Sequence, residues 1–186
     1  VWLEVKPSSF IKSVKIKTPE VSRSIGRVSL IPGLSLKDGF QPARLESKIF
    51  GPDGSLLASG PGSDFIVQNP ALWSPDTPSL YRLRVEMIDD TDSIIDIFED
   101  HFGFRWYEFK PHGPFFLNGE RLLLRGTHLH EDHAGFGSAM PDEQRKKDIR
   151  QIKELGANFI RLGHYPHDPV IYDEADRLGL ILWDEV

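Results

Sequence analysis

The chain has 186 residues, no cysteine and a formal net charge of −6, and 39% of its residues are hydrophobic. These values suit a globular protein of one large or two small domains, and they exclude disulfides and thiolate chemistry. The sequence contains no run of about 18 apolar residues, so it predicts no membrane span, and composition alone assigns no compartment.

Charge is unevenly distributed along the chain. Residues 1–50 hold nine lysines and arginines and four acids, whereas residues 51–186 hold 13 and 24, so the two parts carry +5 and −11. Lys12, Lys15 and Lys17 belong to an alternating, strand-like segment, which favours a solvated strand face over a surface for polyanions. We therefore expect no nucleic-acid partner.

Residues 1–109 are predicted to form an immunoglobulin-like β-sandwich. Apolar and polar residues alternate over residues 44–49 and 81–87, the pattern of strands with one buried face. Segments rich in Gly, Pro and Asp separate the runs, and short strands at this spacing are typical of a two-sheet sandwich. Residues 1–5, cut off by Pro7, are expected to be the last strand of a preceding domain.

The segment 69–78 contains three prolines and is predicted to be an ordered loop, because each proline removes a hydrogen-bond donor from a strand ladder. We expect Trp73 in this loop to close one end of the sandwich. A sharper alternative is that Trp73 stacks on a ligand.

Residues 110–186 show a different pattern, strand–helix–strand–helix–strand, which is typical of parallel βαβ units. Asn118-Gly119 predicts a two-residue hairpin turn, and the apolar residues 122–124 predict the first buried strand. A closed (β/α)8 barrel needs eight strands and about 250 residues. The region is therefore expected to be the first three strands and two helices of such a barrel, reached through a connector at residues 106–114.

Two helices are predicted between these strands. The first begins near Pro141 and ends at Gly156, with a buried stripe made of Ile149, Ile152 and Leu155. Basic residues are expected to cover its remaining surface: Arg145, Lys146, Lys147 and Arg150. The second helix begins with Asp168 as N-cap and Pro169 at the first position, and it ends at Gly179.

Ionisable residues follow each apolar run of this second region: His128 and His130, then Arg161 and His164, then Asp184 and Glu185. In parallel sheets the chemistry collects at the carboxyl ends of the strands. His128 and His130 share one side of an extended segment, since side chains repeat every second residue. The pair fits hydrogen-bonded loop histidines, and it also fits a metal site such as the His-x-His of metal-dependent amidohydrolase barrels.

Several motifs, in this order along the chain, resemble glycoside hydrolase family 2, which includes β-galactosidases, β-glucuronidases and β-mannosidases. They are the segment 69–81, Gly103-Phe104-Arg105, Phe116-Leu117-Asn118-Gly119, Arg125-Gly126, His130-Glu131-Asp132, the segment 158–166 and the segment 176–185. The family has a jelly-roll domain, an immunoglobulin-like domain and a catalytic (β/α)8 barrel. The resemblance implies that residues 1–5 are the tail of the jelly roll.

The resemblance implies roles for four residues. His130 and His164 would contact the sugar where cleavage occurs, Arg161 would hold the nucleophilic carboxylate, and Glu185 would bind magnesium beside the acid/base residue. A guanidinium suits the role of Arg161 because its fork binds a carboxylate at two points and lowers its pKa. The sequence departs from the family at His128, where galactosidases and glucuronidases usually have Asn.

The resemblance also implies an activity for a longer protein: a retaining exo-β-glycosidase acting on terminal β-linked sugars, with β-galactosidase favoured. Both catalytic glutamates are expected beyond Val186, so this chain is expected to be inactive alone. Magnesium is expected only in the longer protein, the expected partner is a carbohydrate, and a homo-oligomer is compatible with the sequence. The remaining alternative is a non-catalytic carbohydrate-binding or interaction module with Trp73 or Trp106 as its platform.

Overall fold

The computed structural model describes residues 3–185, which divide into two compact units. The first unit is the chain up to Ala71 together with Leu80–Phe104, and the second is Leu72–Ser79 together with the chain from Arg105 onwards. The strand expected over residues 1–5 lies partly outside the described residues. Leu3 and Val5 belong to no helix or strand, and both are exposed.

The first unit is a sandwich of two antiparallel sheets, as the alternation predicts. Its seven strands are β1 (Phe10–Val21), β2 (Ile25–Ser35), β3 (Arg44–Phe50), β4 (Leu56–Gly60), β5 (Asp64–Gln68), β6 (Tyr81–Ile88) and β7 (Ile94–Phe102). The sheets have the orders β1-β2-β5 and β4-β3-β6-β7. Lys12, Lys15 and Lys17 of β1 are exposed, which agrees with a solvated strand face.

The core of the sandwich contains apolar side chains from both sheets, including Val28, Ile49 and Leu83, all fully buried. At one end Phe104 is also fully buried, and its ring fills the space beside Gly26, where a Cβ would lie 2.5 Å from the ring. Burial of this apolar surface is the main favourable contribution to folding. The unit therefore owes its stability to a core that lies between its own two sheets.

The second unit contains two further sheets and two helices. Its elements are β8 (Tyr107–Phe109), β9 (Phe115–Leu117), β10 (Glu120–Arg121), β11 (Gly126–Leu129), α1 (Asp142–Glu154), β12 (Phe159–Leu162), α2 (Pro169–Leu178) and β13 (Ile181–Asp184). Strands β8, β9 and β10 are antiparallel, and Asn118 and Gly119 adopt the positive φ values of a tight hairpin turn. Strands β11, β12 and β13 are parallel neighbours, as expected for the start of a barrel.

The first parallel strand lies later in the chain than predicted. Residues 122–124 form no strand, Leu123 is 64% exposed, and the strand begins at Gly126. The side chain of Asn158 explains the shift, because its Nδ2 donates to Leu123 O at 2.9 Å and its Oδ1 accepts from Arg125 N at 2.8 Å. An amide side chain thus satisfies backbone groups that a neighbouring strand would otherwise have to satisfy.

The helices begin and end close to the predicted residues, but two side chains of the first predicted helix lie in unexpected places. Ile149 and Ile152 are buried, whereas Leu155, the C-cap residue, is 86% exposed. Arg145, expected to face solvent, is only 9% exposed. The prediction was wrong for Arg145 because it considered only the helical period, whereas a buried carboxylate outside the helix binds this guanidinium.

Residues 72–78 of the proline-rich loop belong to the second unit, which corrects the expected place of Trp73. This side chain is 2% exposed, and its Nε1 donates at 2.8 Å to the carbonyl of Asp176 in the last turn of α2. The carbonyl of Trp73 accepts from Asn118 Nδ2 at 3.0 Å. Carbonyls in the last turn of a helix lack intrahelical partners, and the indole satisfies one of them. A buried indole offers no face for stacking on a ligand.

Candidate functional site

The register of the parallel sheet brings the strand-end residues together. His128 on β11 lies opposite Arg161 on β12, and Arg161 lies opposite Trp183 on β13. His130 follows the end of β11, and Glu185 follows the end of β13. Three separate segments therefore deliver their ionisable side chains to one edge of the sheet.

Three imidazoles cluster at this edge. The ring centroids of His128 and His130 are 4.7 Å apart, those of His130 and His164 are 5.3 Å apart, and those of His128 and His164 are 5.6 Å apart. One ring nitrogen from each histidine lies within 4.8 Å of those of the other two, and all three residues are exposed. The cluster is open to a ligand from solvent.

Glu185 binds two of the residues singled out from the sequence. Its Oε1 lies 2.6 Å from Arg161 Nη2, and its Oε2 lies 2.8 Å from His164 Nδ1. The hydrogen bond from His164 and the positive charge of Arg161 lower the pKa of Glu185 below its ordinary value of 4.5. The structure thus gathers all four expected site residues, and Glu185 is an ionised carboxylate at neutral pH.

His128 lies against the same guanidinium. Its Nδ1 is 2.5 Å from Arg161 Nη1. Partial desolvation, followed by the charge of Arg161 and the two neighbouring histidines, lowers the pKa of His128 below its ordinary 6.5. His128 is therefore a neutral imidazole at neutral pH.

A buried ion pair lies next to the edge of the sheet that carries the histidines. Glu131, directly after His130, accepts from Arg145 Nε at 2.6 Å, and both side chains are about 10% exposed. Its second oxygen accepts from Asp168 N at 2.9 Å, and its backbone N donates to Tyr165 Oη at 3.2 Å. Glu131 therefore connects the loop after β11 to α1 and to the loop after β12, which carries His164.

His167 adds a second support behind the loop after β12. Its side chain is fully buried, and its ring stacks on Tyr165 with centroids 5.1 Å apart. Its Nε2 lies 3.4 Å from the carbonyl of Gly163, the residue before His164. Within residues 3–185 its Nδ1 has no hydrogen-bond partner, and the nearest carboxylate oxygen, on Glu131, is 3.8 Å away.

Sequence reasoning missed this supporting layer. Arg145 and Glu131 are 14 residues apart, and no local period or motif couples a helix surface to a loop. A usable signal did exist for His167, since it lies three residues after His164 in a short loop where a second histidine needs an explanation. No such signal existed for Gly163, where a Cβ would lie 2.6 Å from His128 Cε1 and 3.2 Å from Arg161 Nη1.

The described residues around Glu185 do not by themselves fit a magnesium ion. Mg²⁺ takes oxygen ligands in octahedral geometry. Both oxygens of Glu185 bind Arg161 and His164, and a guanidinium repels a cation. The magnesium role of Glu185 stays a prediction, and such a site would require oxygen ligands in addition to Glu185.

The profile of "Glycosyl hydrolases family 2" matches residues 10–105, and that of "Glycosyl hydrolases family 2, TIM barrel domain" matches residues 110–186. The chain belongs to glycoside hydrolase family 2. Membership agrees with the sandwich and with the parallel strands that follow it. It leaves the amidohydrolase interpretation of His128 and His130 without support.

Relatives within family 2 carry two different names. A β-galactosidase of Thermoanaerobacter pseudethanolicus is 31% identical over 198 residues, which cover 100% of this chain and 26% of that protein. The crystal structure of Parabacteroides merdae β-glucuronidase aligns with a TM-score of 0.89 and 34% identity over 97% of this chain and 24% of its own. The structure of Bacteroides uniformis β-glucuronidase 3 aligns with a TM-score of 0.85 and 39% identity, over 97% of this chain and 23% of its own.

The chain spans about a quarter of the length of each of these family 2 proteins. Among residues 3–185, no helix is both long enough and apolar enough to cross a membrane. What the relatives' names say about substrates applies to those proteins.

Proposed function

We propose that this chain supplies part of the sugar-binding site of a longer retaining exo-β-glycosidase that acts on terminal β-linked sugars. The observation that carries the proposal is the cluster of His130, His164 and Arg161 at the carboxyl edge of the parallel sheet. This is the edge at which barrel enzymes of this architecture hold their substrates. Membership of family 2 supplies the reaction class.

The three side chains suit the binding of a neutral sugar and of a reacting carboxylate. Exposed imidazoles can donate to or accept from sugar hydroxyls. Arg161 has five N–H donors and uses one on His128 and one on Glu185. Its remaining donors can hold a second carboxylate, which would be kept ionised by the adjacent positive charge.

Of the four carboxylates at this edge, Glu131, Asp184 and Glu185 have other partners, and Asp132 is exposed. A retaining glycosidase needs a general acid and a nucleophile about 5–5.5 Å apart. Glu131 is buried in its pair with Arg145, and Asp184 accepts from Tyr172 Oη at 3.0 Å. The lowered pKa of Glu185 is the opposite of what a general acid needs at neutral pH. We infer that both catalytic carboxylates lie outside residues 3–185.

We favour a β-galactoside over a β-glucuronide as the substrate. A glucuronide carries a carboxylate that needs a cationic or hydrogen-bonding partner when it is desolvated. Among the described residues of the cluster, Arg161 is the permanent cation, and its donors not used on Glu185 and His128 are assigned to the nucleophilic carboxylate, while His128 is neutral. The described part of the site therefore offers its hydrogen-bonding groups to neutral hydroxyls.

The test is to measure kcat/KM of the longer protein on aryl β-galactosides and on aryl β-glucuronides with the same leaving group. We expect the galactoside to be preferred about tenfold or more, since an unpaired buried charge costs at least about 1.4 kcal/mol. His130→Ala should reduce kcat/KM, whereas Lys12→Ala, an exposed change on the sandwich, should leave it unchanged. A preference for the glucuronide would overturn the choice of sugar, and turnover of neither would overturn the function.

We also predict that the 186-residue chain alone does not hydrolyse either aryl glycoside. Glu131, Asp184 and Glu185 are engaged by other groups, and Asp132 alone cannot supply both the acid and the nucleophile. Purified chain should release no aryl alcohol above a buffer blank, and Glu185→Gln should give the same rate as the unchanged chain. Turnover that disappears in Glu185→Gln would show that Glu185 itself is catalytic.

A further inference from the structure

His128 is fixed on two sides by groups that the proposed function does not explain. Arg161 Nη1 lies 2.5 Å from its Nδ1. On another side, the ring lies against Gly163, where a Cβ would be 2.6 Å from His128 Cε1 and 3.4 Å from His128 Nε2. A ring held by both a hydrogen bond and a close packing contact has one defined orientation.

The hydrogen bond with Arg161 also fixes the tautomer of His128. A guanidinium has five donors and no acceptor, so Nδ1 of His128 must accept with its lone pair. In a neutral imidazole the proton then lies on Nε2. His128 is therefore a hydrogen-bond donor through Nε2.

Gly163 makes room for this ring, and its backbone does not need to be glycine. Its φ is not among the positive values found elsewhere in the chain, so its backbone conformation is open to residues with a side chain. The space that a side chain would occupy is instead filled by the ring of His128, with Arg161 Nη1 3.2 Å from the position of the Cβ. We conclude that the position of the His128 ring is what requires a glycine at residue 163.

His164 is fixed in the opposite tautomer. Its Nδ1 lies 2.8 Å from Glu185 Oε2, and an ionised carboxylate only accepts, so Nδ1 carries the proton. Arg161 Nη2, 3.2 Å from the same nitrogen, donates instead to Glu185 Oε1 at 2.6 Å. With that proton on Nδ1, the lone pair of the imidazole lies on Nε2, which makes Nε2 the acceptor.

We propose that His128 is a specificity-determining residue that donates from Nε2 to a sugar hydroxyl, next to His164, which accepts from the same or an adjacent hydroxyl. A hydroxyl both donates and accepts, so a donor and an acceptor on rings 5.6 Å apart match it or a neighbouring pair. A metal ion would need a lone pair from every histidine, and that of His128 is taken by Arg161. The ligand class rests on the proposed function, whereas the two tautomers do not.

The tautomers can be measured directly in the 186-residue chain labelled with ¹⁵N-histidine. Long-range proton–nitrogen spectra at neutral pH should show His128 protonated on Nε2 and His164 protonated on Nδ1. Single His→Gln variants assign the signals, and His133, whose Nδ1 donates to the carbonyl of Ala134 at 2.8 Å, is an internal reference for the Nδ1 form. His128 protonated on Nδ1, or averaged between both forms, would overturn the proposal.

The contact with Gly163 is tested by a double-mutant cycle. Gly163→Ala should displace the ring, abolish the fixed Nε2 tautomer of His128 and lower the melting temperature. In a His128→Ala background the same change should have a smaller effect, because the ring is gone and Arg161 Nη1, 3.2 Å from the added Cβ, is at the end of a flexible side chain. Equal effects of Gly163→Ala in both backgrounds would show that His128 and Gly163 do not constrain each other, and would overturn the orientation on which the proposal depends.

Recognition of a hydroxyl is tested in the longer protein with a series of singly deoxygenated aryl glycosides. The unchanged protein should lose about tenfold in kcat/KM on one deoxy sugar, the effect of one hydrogen bond. His128→Phe, which keeps a ring but removes the donor, should lose about tenfold on the parent sugar and nothing further on that deoxy sugar. A variant that retains every deoxy penalty would overturn the role of His128. If the longer protein cleaves no glycoside, the proposed function fails and with it the ligand class, while the tautomers are decided separately in the spectra.

Discussion

Two arginines of the second unit pair with glutamates at different depths. Arg161, whose side chain is 38% exposed, pairs with Glu185 at the edge of the sheet. Arg145, 10% exposed, pairs with Glu131 beneath it. Solvent screens the outer pair, so its main effect is on protonation and orientation, whereas the inner pair is shielded and its loss leaves a buried charge without a partner. The two pairs therefore make different experimental predictions.

The outer pair predicts a pH dependence of stability. Because the folded pKa of Glu185 lies below its ordinary value of 4.5, the ionised carboxylate contributes stability that is present above about pH 4.5 and lost as the pH falls through the folded pKa. Glu185→Gln should lower the melting temperature at pH 7, and the difference from the unchanged chain should shrink toward pH 3. Glu154→Gln, at the exposed end of α1, is the control. A difference that stays constant with pH would contradict the assignment.

The inner pair predicts a large loss of stability. Arg145→Met keeps much of the side-chain volume but leaves Glu131 buried and unpaired, which should lower the free energy of unfolding by about 3–5 kcal/mol. Lys146→Met, next along α1, breaks an exposed pair with Glu143 and should cost less than about 1 kcal/mol. Urea denaturation monitored by circular dichroism measures both. Equal, small losses would mean that Arg145 is not buried in solution.

The candidate site could be predicted where its residues lie at strand ends, and not where they pair across the fold. His130, Arg161, His164 and Glu185 each follow an apolar run, so the parallel-sheet pattern alone places them at one edge. The roles of these residues stay predictions. Arg145 lies at a regular position on a basic helix surface, and its burial depends on a carboxylate that the helical period does not reveal.

At the scale of elements, sequence signals within a few residues predicted the ends of the helices correctly. The start of the first parallel strand depends on a distant residue and was predicted wrongly. The second helix begins at the predicted N-cap, Asp168, whose Oδ1 accepts from Val170 N, and it ends at Gly179 in the left-handed conformation. These are interactions within a few residues. The first parallel strand was misplaced because Asn158, more than 30 residues away, satisfies the backbone of residues 123–125. Apolar composition alone could not reveal that contact.

Each helix is followed by a glycine, Gly156 after α1 and Gly179 after α2. Replacing each by alanine should lower the free energy of unfolding by a different amount. Gly156 has φ +84° with nothing within 4 Å of an added Cβ, so Gly156→Ala should cost only the left-handed strain, about 1–2 kcal/mol. Gly179 has φ +75°, and its Cβ would lie 2.5 Å from Pro75 O. Gly179→Ala should therefore cost about 1–3 kcal/mol more. Urea unfolding of both variants tests this, and equal losses would show that the loop around Pro75 moves freely away from α2.

At the scale of the whole molecule, the chain passes between its two units three times. It leaves the first unit after Ala71, returns at Leu80 and leaves again after Phe104. Lys153 Nζ bonds both Pro75 O and Gly179 O, and Trp73 bonds α2, so the eight-residue excursion is held within the second unit. The boundary expected between residues 109 and 110 stays a prediction, and it describes only the last of these three passages.

This path predicts the state of Trp73 in a shortened chain. Residues 1–105 should unfold as one cooperative sandwich, but without Asp176 and Asn118 the indole of Trp73 should become exposed. In a Trp2→Phe background, its fluorescence should be red-shifted and quenched by iodide. The matched control is the full chain with Trp2, Trp106 and Trp183 changed to Phe, in which Trp73 should be protected. Protection in the shortened chain would mean that the sandwich itself buries the side chain.

The excursion also has a consequence for inheritance and engineering. Residues 72–79 lie between two sandwich segments but belong to the second unit. Recombination at a single crossover point therefore cannot exchange the sandwich without also exchanging these eight residues. A foreign sandwich grafted before Arg105 would bring its own loop. Unless that loop placed an indole on the carbonyl of Asp176 and a carbonyl beside Lys153, α2 and α1 would each lose a hydrogen-bond partner. The two units are therefore expected to be inherited together, with changes in the loop accompanied by changes in α1 and α2.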